Sequence, residues 1–350
     1  MQGRHDGLLV RNSGNQGAVV HQNPCLFIVG CPRSGTTLLQ RMLDHHPQLA
    51  VANDTHFIPR ALEQVVPQAT TDVTDQIDPP LSPELVEWVL SYRRFARLGL
   101  AEATVRQTAA KVTTYRGFVS ALYSAFGMLH GKPLAGEKTP DYVRRLPVLH
   151  ALFPWVRTVH IIRDGRDVTL STREWAREDK GPGKLALWRE EPAAVCALWW
   201  QWQVSTGMRD GVVLGPSRYL EVKYEQLVTR PEQTLHSIAA FLGFPFAPEM
   251  LDYYVGKTSL EPGLSSKKAW LPPTPGLRDW RTQMAERDVE VFEAIAGDSL
   301  SALGYERASR AISRATTLVA DRCRRWWDAE VARRQTRFAE RVRSAMDALP

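Results

Sequence analysis

The stretch GCPRSGTT places two glycines, Gly30 and Gly35, around a short polar turn that follows the apolar run Leu26–Val29. A helix is predicted directly after it, from about Thr36 to Asp44. The backbone N–H groups of such a turn and the positive end of the helix dipole together favour one bound anion. Arg33 adds a forked, permanently charged donor. We therefore predict an anion-binding loop, and the alternative is a strand–helix turn without a ligand.

The glycine spacing matches the Walker A pattern G-x-x-x-x-G-K-[ST], yet Thr36 stands where that pattern has lysine. Nucleotide triphosphatases use this lysine on the β and γ phosphates and the next hydroxyl to hold Mg²⁺. Its absence argues against hydrolysis of ATP or GTP and favours a different phosphate ligand. Asp164 follows a second apolar run and resembles a Walker B acid, so a P-loop kinase stays open as an alternative.

Apolar runs alternate with helical patterns along the chain. The runs that predict strands are LFIV, a short one within HHPQLAVAND, RTVHII and RYLEV, and a further unit starts near GKPLAGEKTPDY. A helix is expected after that unit, with Pro147 near its end. Strands separated by helices predict an α/β fold whose central parallel sheet is covered by helices on both faces. The turns after parallel strands meet at one edge, where α/β proteins bind ligands.

The stretch PRSGTTLL resembles the 5′-phosphosulfate loop of sulfotransferases that use 3′-phosphoadenosine 5′-phosphosulfate (PAPS), which carries Lys or Arg at the position of Arg33. Further motifs of that family follow in the same order over roughly residues 25–305. The resemblance implies a P-loop NTPase-like three-layer sandwich and in-line transfer of a sulfuryl group to a hydroxyl. It implies PAPS as co-substrate and no metal. The loop residues that would bind it are Arg33, Ser34, Gly35, Thr36 and Thr37.

The stretch IIRDGRDVTLS resembles the second motif of the family, in which an Arg and a Ser eight residues later bind the 3′-phosphate. These roles fall on Arg163 and Ser171. A cofactor with phosphates at both ends of an adenosine needs two anion sites, and a guanidinium suits a terminal phosphate. A helix beginning near Arg166 would carry Ser171 within two turns. The alternative is a surface ion pair between Arg163 and Asp164.

Sulfuryl transfer to a hydroxyl needs a base, positive charge near the leaving group and in-line geometry. The stretch NDTHF resembles the protein-tyrosine sulfotransferases and the Glu-x-His-Phe pattern of heparan sulfate sulfotransferases, and both comparisons place the carboxylate base at Asp54. Asp reaches roughly 1.5 Å less far than Glu, so the acceptor must lie closer or the backbone must shift. Two alternatives stay open, because Asp54 could cap the following turn and His56 could be the base.

The stretch EKTPDY resembles a heparan sulfate sulfotransferase segment whose lysine lies near the transferred group, and that role falls on Lys138. Lys138 and Arg33 would then stabilise the leaving group, with Glu137 orienting Lys138 by an ion pair. A solvated surface lysine is the alternative. The family also implies that Tyr224 contacts the cofactor. A late loop with Lys267 and Lys268 would close over the 3′-phosphate.

The bulk composition restricts partners and location. The net charge of the 350 residues is +6, and residues 307–350 alone carry eleven Arg against five acids, so the rest is neutral. A neutral body argues against nucleic acid. We expect a leader over residues 1–24, a sulfotransferase domain over 25–305, and a basic amphipathic C-terminal helix over 306–350. That helix packs on the body or a second subunit, as in a homodimer, or contacts a membrane surface.

Four scattered cysteines fit a reducing compartment, and without an apolar run of about 18 residues no membrane span is expected. We therefore expect a cytoplasmic protein. The hydroxyl acceptor stays open among a glycan, a lipid, a phenol and a peptide tyrosine. A catalytically inactive module that binds PAPS or its desulfated product is a further alternative, supported only by Asp at position 54.

Overall fold

The computed structural model describes residues 9–10, 20–65, 77–176, 181–255, 272–308 and 311–347 of the chain. Contacts between residues divide the chain into two compact units. The first comprises Met1–Ile162 and Gly207–Pro275, and the second comprises Arg163–Thr206 and Gly276–Pro350. The predicted late loop with Lys267 and Lys268 lies outside the described residues.

The strands belong to the first unit. They are β1 (Leu9–Val10), β2 (Val20–His21), β3 (Leu26–Val29), β4 (Leu49–Asn53), β5 (Leu134–Lys138), β6 (Arg157–Ile162) and β7 (Tyr219–Lys223). The short strands β1 and β2 form an antiparallel pair. The other strands form one parallel sheet in the order β4-β5-β3-β6-β7. The predicted parallel sheet is therefore confirmed, and β3 occupies its centre.

Side chains of β3 alternate between two apolar cores because successive residues of a strand point to opposite faces. Phe27 and Val29 pack into one core, and Leu26 and Ile28 pack into the other. All four are fully buried, which explains why this strand reads as a continuous apolar run rather than an alternating one. Helices therefore cover both faces of the sheet, and the α/β three-layer fold is confirmed.

The helices begin and end as follows. They are α1 (Thr36–Asp44), α2 (Phe57–Val65), α3 (Pro83–Ser91), α4 (Glu102–Ala109), α5 (Tyr115–Leu129), α6 (Leu146–Leu152), α7 (Gly165–Ala176), α8 (Pro192–Leu214), α9 (Tyr224–Thr229), α10 (Pro231–Leu242), α11 (Trp280–Gln283), α12 (Glu286–Ala302) and α13 (Arg314–Asp347). Short 3₁₀ turns at Phe95–Leu98 and Pro140–Arg144 lie between α3 and α4 and between β5 and α6. Helix α1 has the predicted bounds.

Two expectations about boundaries were wrong. Pro147 lies in the first turn of α6 rather than near its end, because proline lacks the N–H that later turns need and its fixed φ suits a helix start. Asn23 and Pro24, assigned to the leader, are buried. The Asn23 side chain accepts a hydrogen bond of 2.7 Å from the Ala135 N–H and donates to the Pro133 carbonyl. The packed part of the chain therefore begins before residue 25.

The second unit contains the long C-terminal helix, α13. On this helix Cys323 is fully buried and Trp326 is partly buried, as an amphipathic helix with one packed face requires. The four cysteines of the chain are free thiols and all are buried. Within the described part of the chain, no helix combines the length and the apolar character needed to cross a membrane.

Candidate active site

The predicted anion loop lies at the carboxyl end of the central strand β3. Gly30 and Gly35 both have positive φ, at 155° and 92°, and Arg33 between them has φ of 78°. The backbone therefore folds back on itself over five residues and delivers the chain into α1 at Thr36, which is buried. Within this turn the Ser34 N–H donates to the Cys31 carbonyl oxygen at 3.1 Å, and the turn leads into the N-terminus of α1, the end of a helix that favours an anion.

Two observations test whether the loop suits an anionic group. The Ser34 hydroxyl is buried, and among the described residues Oγ has no hydrogen-bond partner, a condition that costs about 1–3 kcal/mol unless a ligand satisfies it. A Cβ on Gly35 would lie 2.3 Å from Cδ2 of Tyr224, so only glycine fits between the loop and this ring. The Ser34 hydroxyl suits a bound anion, and the close approach of the Tyr224 ring explains the glycine at position 35. The binding roles of Arg33, Thr37 and Tyr224 stay predictions.

The side chains singled out from the sequence follow the carboxyl ends of neighbouring strands. Asn53, the last residue of β4, pairs with Lys138 at the end of β5, and Lys138 pairs with Ile28 near the end of β3. Asp54 therefore lies one strand away from Lys138, and the anion loop lies one strand away on the other side. Since adjacent strands are about 4.8 Å apart, the first unit gathers the loop, the lysine and the carboxylate at one sheet edge.

Asp54 and Lys138 form an ion pair at this edge. Lys138 Nζ lies 3.1 Å from Asp54 Oδ1, and the lysine side chain is only 1% exposed against 30% for Asp54. Burial lowers the pKa of Lys138, and the charge of Asp54 partly offsets that effect. Lys138 is thus a buried cation rather than the solvated surface lysine of the alternative. The pair presents a carboxylate that solvent or a substrate can reach.

Glu137 does not orient Lys138 in the way the sequence suggested. Its carboxylate is fully buried and accepts hydrogen bonds from the Thr55 N–H at 2.9 Å, from the Tyr123 hydroxyl at 2.7 Å and from the Thr139 hydroxyl. Burial raises the pKa of Glu137. Glu137 and Lys138 are consecutive on a strand, so their side chains point to opposite faces. The carboxylate therefore holds the backbone of the turn after β4 instead of the lysine.

The turn after β4 has an uncommon backbone. Asp54 and His56 have φ of 56° and 58°, in the left-handed region that non-glycine residues rarely adopt. The Asp54 N–H donates to the Lys138 carbonyl at 2.7 Å. The buried hydroxyl of Tyr142 accepts a hydrogen bond of 3.3 Å from the Ile58 N–H. Hydrogen bonds from β5 and the segment after it therefore hold this turn in place.

His56 lies beside Asp54, with Nε2 3.9 Å from Oδ1. Burial, together with the charge of Arg94, lowers its pKa to about 4. An imidazole with this pKa is neutral at pH 7. A pKa near neutrality would make it a stronger base than a carboxylate, and the lowered pKa removes that advantage. The choice between Asp54 and His56 as the base stays a prediction, and the greater exposure of Asp54 favours the carboxylate.

Sequence reasoning missed Arg97. It lies in the 3₁₀ turn Phe95–Leu98, within a segment that carries no recognised motif, and its NH1 group lies 3.7 Å from Asp54 Oδ2. The same NH1 group donates a hydrogen bond of 3.2 Å to the Asp54 carbonyl oxygen. No spacing rule connects positions 54 and 97, so only the folded chain reveals this contact.

In the second unit, Arg163 and Ser171 are both buried. Helix α7 begins at Gly165, within one residue of the predicted start at Arg166. The Arg163 carbonyl accepts a hydrogen bond of 3.0 Å from Trp200 Nε1. NH2 of Arg163 lies 3.5 Å from Asp167 Oδ2. The alternative, a surface ion pair of Arg163 with Asp164, is not supported, because both residues are buried. Their roles toward a 3′-phosphate stay predictions.

Asp164 is held by Arg166, a residue to which the sequence assigned no role. Asp164 accepts hydrogen bonds from the Arg166 N–H, Nε and NH2 at 2.9, 3.0 and 2.7 Å. The fully buried guanidinium also bonds to Glu293 and stacks on Trp280 at 3.6 Å. The Asp164 carboxylate is therefore part of a buried charge network within the second unit, unlike a Walker B acid that faces a metal.

The fold and the site together define an α/β protein with a P-loop-like turn after its central strand and a carboxylate–lysine pair at the same sheet edge. The sequence pattern of the sulfotransferase family matches residues 24–248. The chain belongs to the sulfotransferase family, as the motifs predicted.

Among curated relatives, the chain is 29% identical to protein-tyrosine sulfotransferase 2 of Gallus gallus over 232 residues, which is 66% of this chain and 54% of the relative. It thus spans about half of that protein. It is 25% identical to the nodulation protein NoeE of Sinorhizobium fredii over 343 residues, covering 86% of this chain and 73% of the relative.

Among solved structures, the sulfotransferase domain of the Synechococcus PCC 7002 olefin synthase matches with a TM-score of 0.51 and 24% identity, over 81% of this chain and 96% of that domain. This likeness supports the fold.

Proposed function

We propose that this chain transfers a sulfuryl group from PAPS to a hydroxyl acceptor. The observation that carries the proposal is the ion pair of Asp54 with the buried Lys138, placed at the strand ends beside the anion loop. A base and a cation held together at a phosphate-type loop are what transfer to a hydroxyl requires. Membership of the sulfotransferase family supports the same reaction.

In the proposed reaction the donor supplies a sulfuryl group attached through a bridging oxygen to a phosphate. Asp54 accepts the proton of the acceptor hydroxyl while the acceptor oxygen forms a bond to sulfur and the bond from sulfur to the bridging oxygen breaks. Lys138 and Arg33 stabilise the negative charge that the leaving phosphate gains. Because Lys138 is shielded from water, its charge acts in a low dielectric, where it stabilises such charge more strongly.

A tyrosine side chain of a protein is the first acceptor to test, because several relatives are named protein-tyrosine sulfotransferases. A glycan, a lipid and a simple phenol remain further candidates. The cytoplasmic location and the roles suggested for the C-terminal helix, in a homodimer or at a membrane surface, stay predictions.

The kinase alternative lacks support at the two positions where a P-loop kinase needs a functional side chain. Thr36 replaces the lysine that would contact the β and γ phosphates. Asp164, the acid that would hold Mg²⁺ through a Walker B position, bonds to Arg166 through its side chain. A P-loop kinase would need both functions, and the sulfuryl transfer reaction needs neither.

Binding of the desulfated product, adenosine 3′,5′-bisphosphate, tests the proposed donor without knowledge of the acceptor. We expect isothermal titration calorimetry in EDTA to show binding of the bisphosphate at least tenfold tighter than binding of ATP, because the loop holds a 5′-phosphate without a metal. Gly35→Ala should weaken binding of the bisphosphate at least tenfold, because the alanine Cβ would lie 2.3 Å from the Tyr224 ring.

Gly131→Ala is the matched control for this substitution. Gly131 also has positive φ, at 69°, but a Cβ there meets nothing within 4 Å. Both substitutions place alanine at a positive φ and so cost roughly 1 kcal/mol of backbone strain. Only Gly35→Ala also disturbs the loop. Tight Mg²⁺-dependent binding of ATP by the unmodified protein, with weak binding of the bisphosphate, would contradict the proposed donor.

A further inference from the structure

The segment between α2 and α5, which carries no recognised motif, supplies a cation to the proposed base. Its 3₁₀ turn Phe95–Leu98 is anchored from both ends, since Phe95 and Leu98 are 4% and 1% exposed. Phe95 also packs edge to face on Phe57 of α2, with ring centroids 5.2 Å apart. The backbone of Arg97 is therefore fixed although its side chain is 47% exposed.

Arg97 contacts two different groups of Asp54 with the same nitrogen. NH1 donates to the Asp54 carbonyl oxygen at 3.2 Å and lies 3.7 Å from Oδ2 of the carboxylate. Lys138 lies 3.1 Å from the other carboxylate oxygen, Oδ1. The two oxygens of Asp54 thus face two separate cations, so rotation of the carboxylate about its last bond would lose one of these contacts.

The backbone of Asp54 is strained, and its polar groups are bound on both sides. With φ at 56°, Asp54 occupies the left-handed region, which residues other than glycine adopt uncommonly, and surrounding contacts hold it there. The N–H of Asp54 bonds to Lys138 of β5, and the next N–H, of Thr55, bonds to Glu137. The hydrogen bond from Arg97 holds the carbonyl oxygen between these two N–H groups.

We infer that Arg97 is a positioning residue that holds the Asp54 turn and carboxylate in the orientation needed for proton transfer. This inference rests on the proposed role of Asp54 as base. Arg97 acts through Asp54 and need not touch the acceptor or the donor. Because a displacement of about 1 Å at a reacting group can cost about 100-fold in rate, the loss of Arg97 lowers turnover and leaves substrate binding unchanged.

The test compares Arg97→Ala with Arg93→Ala, which removes an exposed arginine four positions earlier. With an acceptor that takes up labelled sulfate, we expect Arg97→Ala to lower kcat by about 10- to 100-fold. The KM for the acceptor and the affinity for the bisphosphate should stay within threefold, and Arg93→Ala should match the unmodified protein. Guanidinium ion at millimolar concentration should restore kcat of Arg97→Ala at least fivefold, and Arg97→Lys should retain more activity than Arg97→Ala.

Two kinetic outcomes would overturn the inference. An unchanged kcat for Arg97→Ala means that the contact is dispensable. A raised KM for the acceptor at unchanged kcat means that Arg97 binds the acceptor rather than positioning Asp54.

A crystal structure of Arg97→Ala separates this inference from the proposed function. If no acceptor takes label from the unmodified protein, the proposed function fails, and the structure alone decides whether Arg97 holds the turn. We expect Asp54 to leave the left-handed region or its carboxylate to rotate away from Lys138. An unchanged turn and carboxylate would overturn the inference whatever the activity.

Discussion

Replacing Asp54 with Asn lowers kcat for sulfuryl transfer by about 10²- to 10⁴-fold, the range that a positioned general base contributes. Asn has the shape of Asp but cannot take the acceptor proton. The affinity for adenosine 3′,5′-bisphosphate should change less than threefold, because the anion loop follows β3 while Asp54 follows β4. Steady-state kinetics with labelled PAPS measures the first quantity, and calorimetry measures the second.

Asp141→Asn is the matched control for this experiment. Asp141 lies three residues after Lys138, is 40% exposed and pairs with Arg144, so its loss should change kcat less than twofold. An undiminished kcat for Asp54→Asn would show that Asp54 is not the base. His56→Gln then decides whether the imidazole, whose pKa burial lowers to about 4, takes that role instead.

Replacing Lys138 with Met lowers kcat by about 10²- to 10³-fold, the effect usually seen when one preorganised donor to a developing negative charge is removed. Met has nearly the length of Lys without the charge. The substitution also leaves Asp54 Oδ1 without its cation at 3.1 Å. The loss in kcat should therefore exceed that of any exposed lysine, for example Lys111→Met.

The stability of this variant distinguishes lost chemistry from lost folding. Because burial opposes the charge of Lys138 and lowers its pKa, removing the charge relieves a desolvation cost. Asp54 keeps partial exposure and the nearby Arg97, so it is not left as an isolated buried anion. We expect the midpoint of urea unfolding to fall only slightly, because the relieved desolvation cost offsets part of the cost of leaving the buried Asp54 Oδ1 without its cation. A Lys138→Met variant with undiminished kcat would contradict the assigned role of the lysine.

The strongest local patterns in the sequence predicted their structure well. The strand Leu26–Val29 and the helix Thr36–Asp44 were expected at the bounds observed, because an apolar run, two glycines and a following helical pattern agree on one solution. Pro147 was misplaced for the opposite reason, since a short helix leaves little periodicity to show which end the proline occupies. Element bounds could therefore be predicted where several neighbouring residues favour the same structure.

The candidate site likewise contains residues that the sequence predicted and contacts that it did not. Asp54 and Lys138 were expected through family motifs, and the structure brings them within 3.1 Å across the register of β4 and β5. The buried contacts of Glu137 with Thr55 and Tyr123, and the approach of Arg97, depend on packing between segments far apart in the chain. No local spacing in the sequence predicts these contacts, and only the folded structure shows them.

The most direct test of the central claim is transfer of ³⁵S from labelled PAPS to a panel of hydroxyl acceptors in EDTA. The panel should hold tyrosine peptides, simple phenols, neutral glycans and lipid alcohols, with Asp54→Asn run in parallel. We predict labelled product with at least one acceptor class for the unmodified protein and a loss of at least 100-fold for Asp54→Asn. Equal labelling by both proteins, or no labelling of any acceptor by a protein that binds the bisphosphate, would contradict the account.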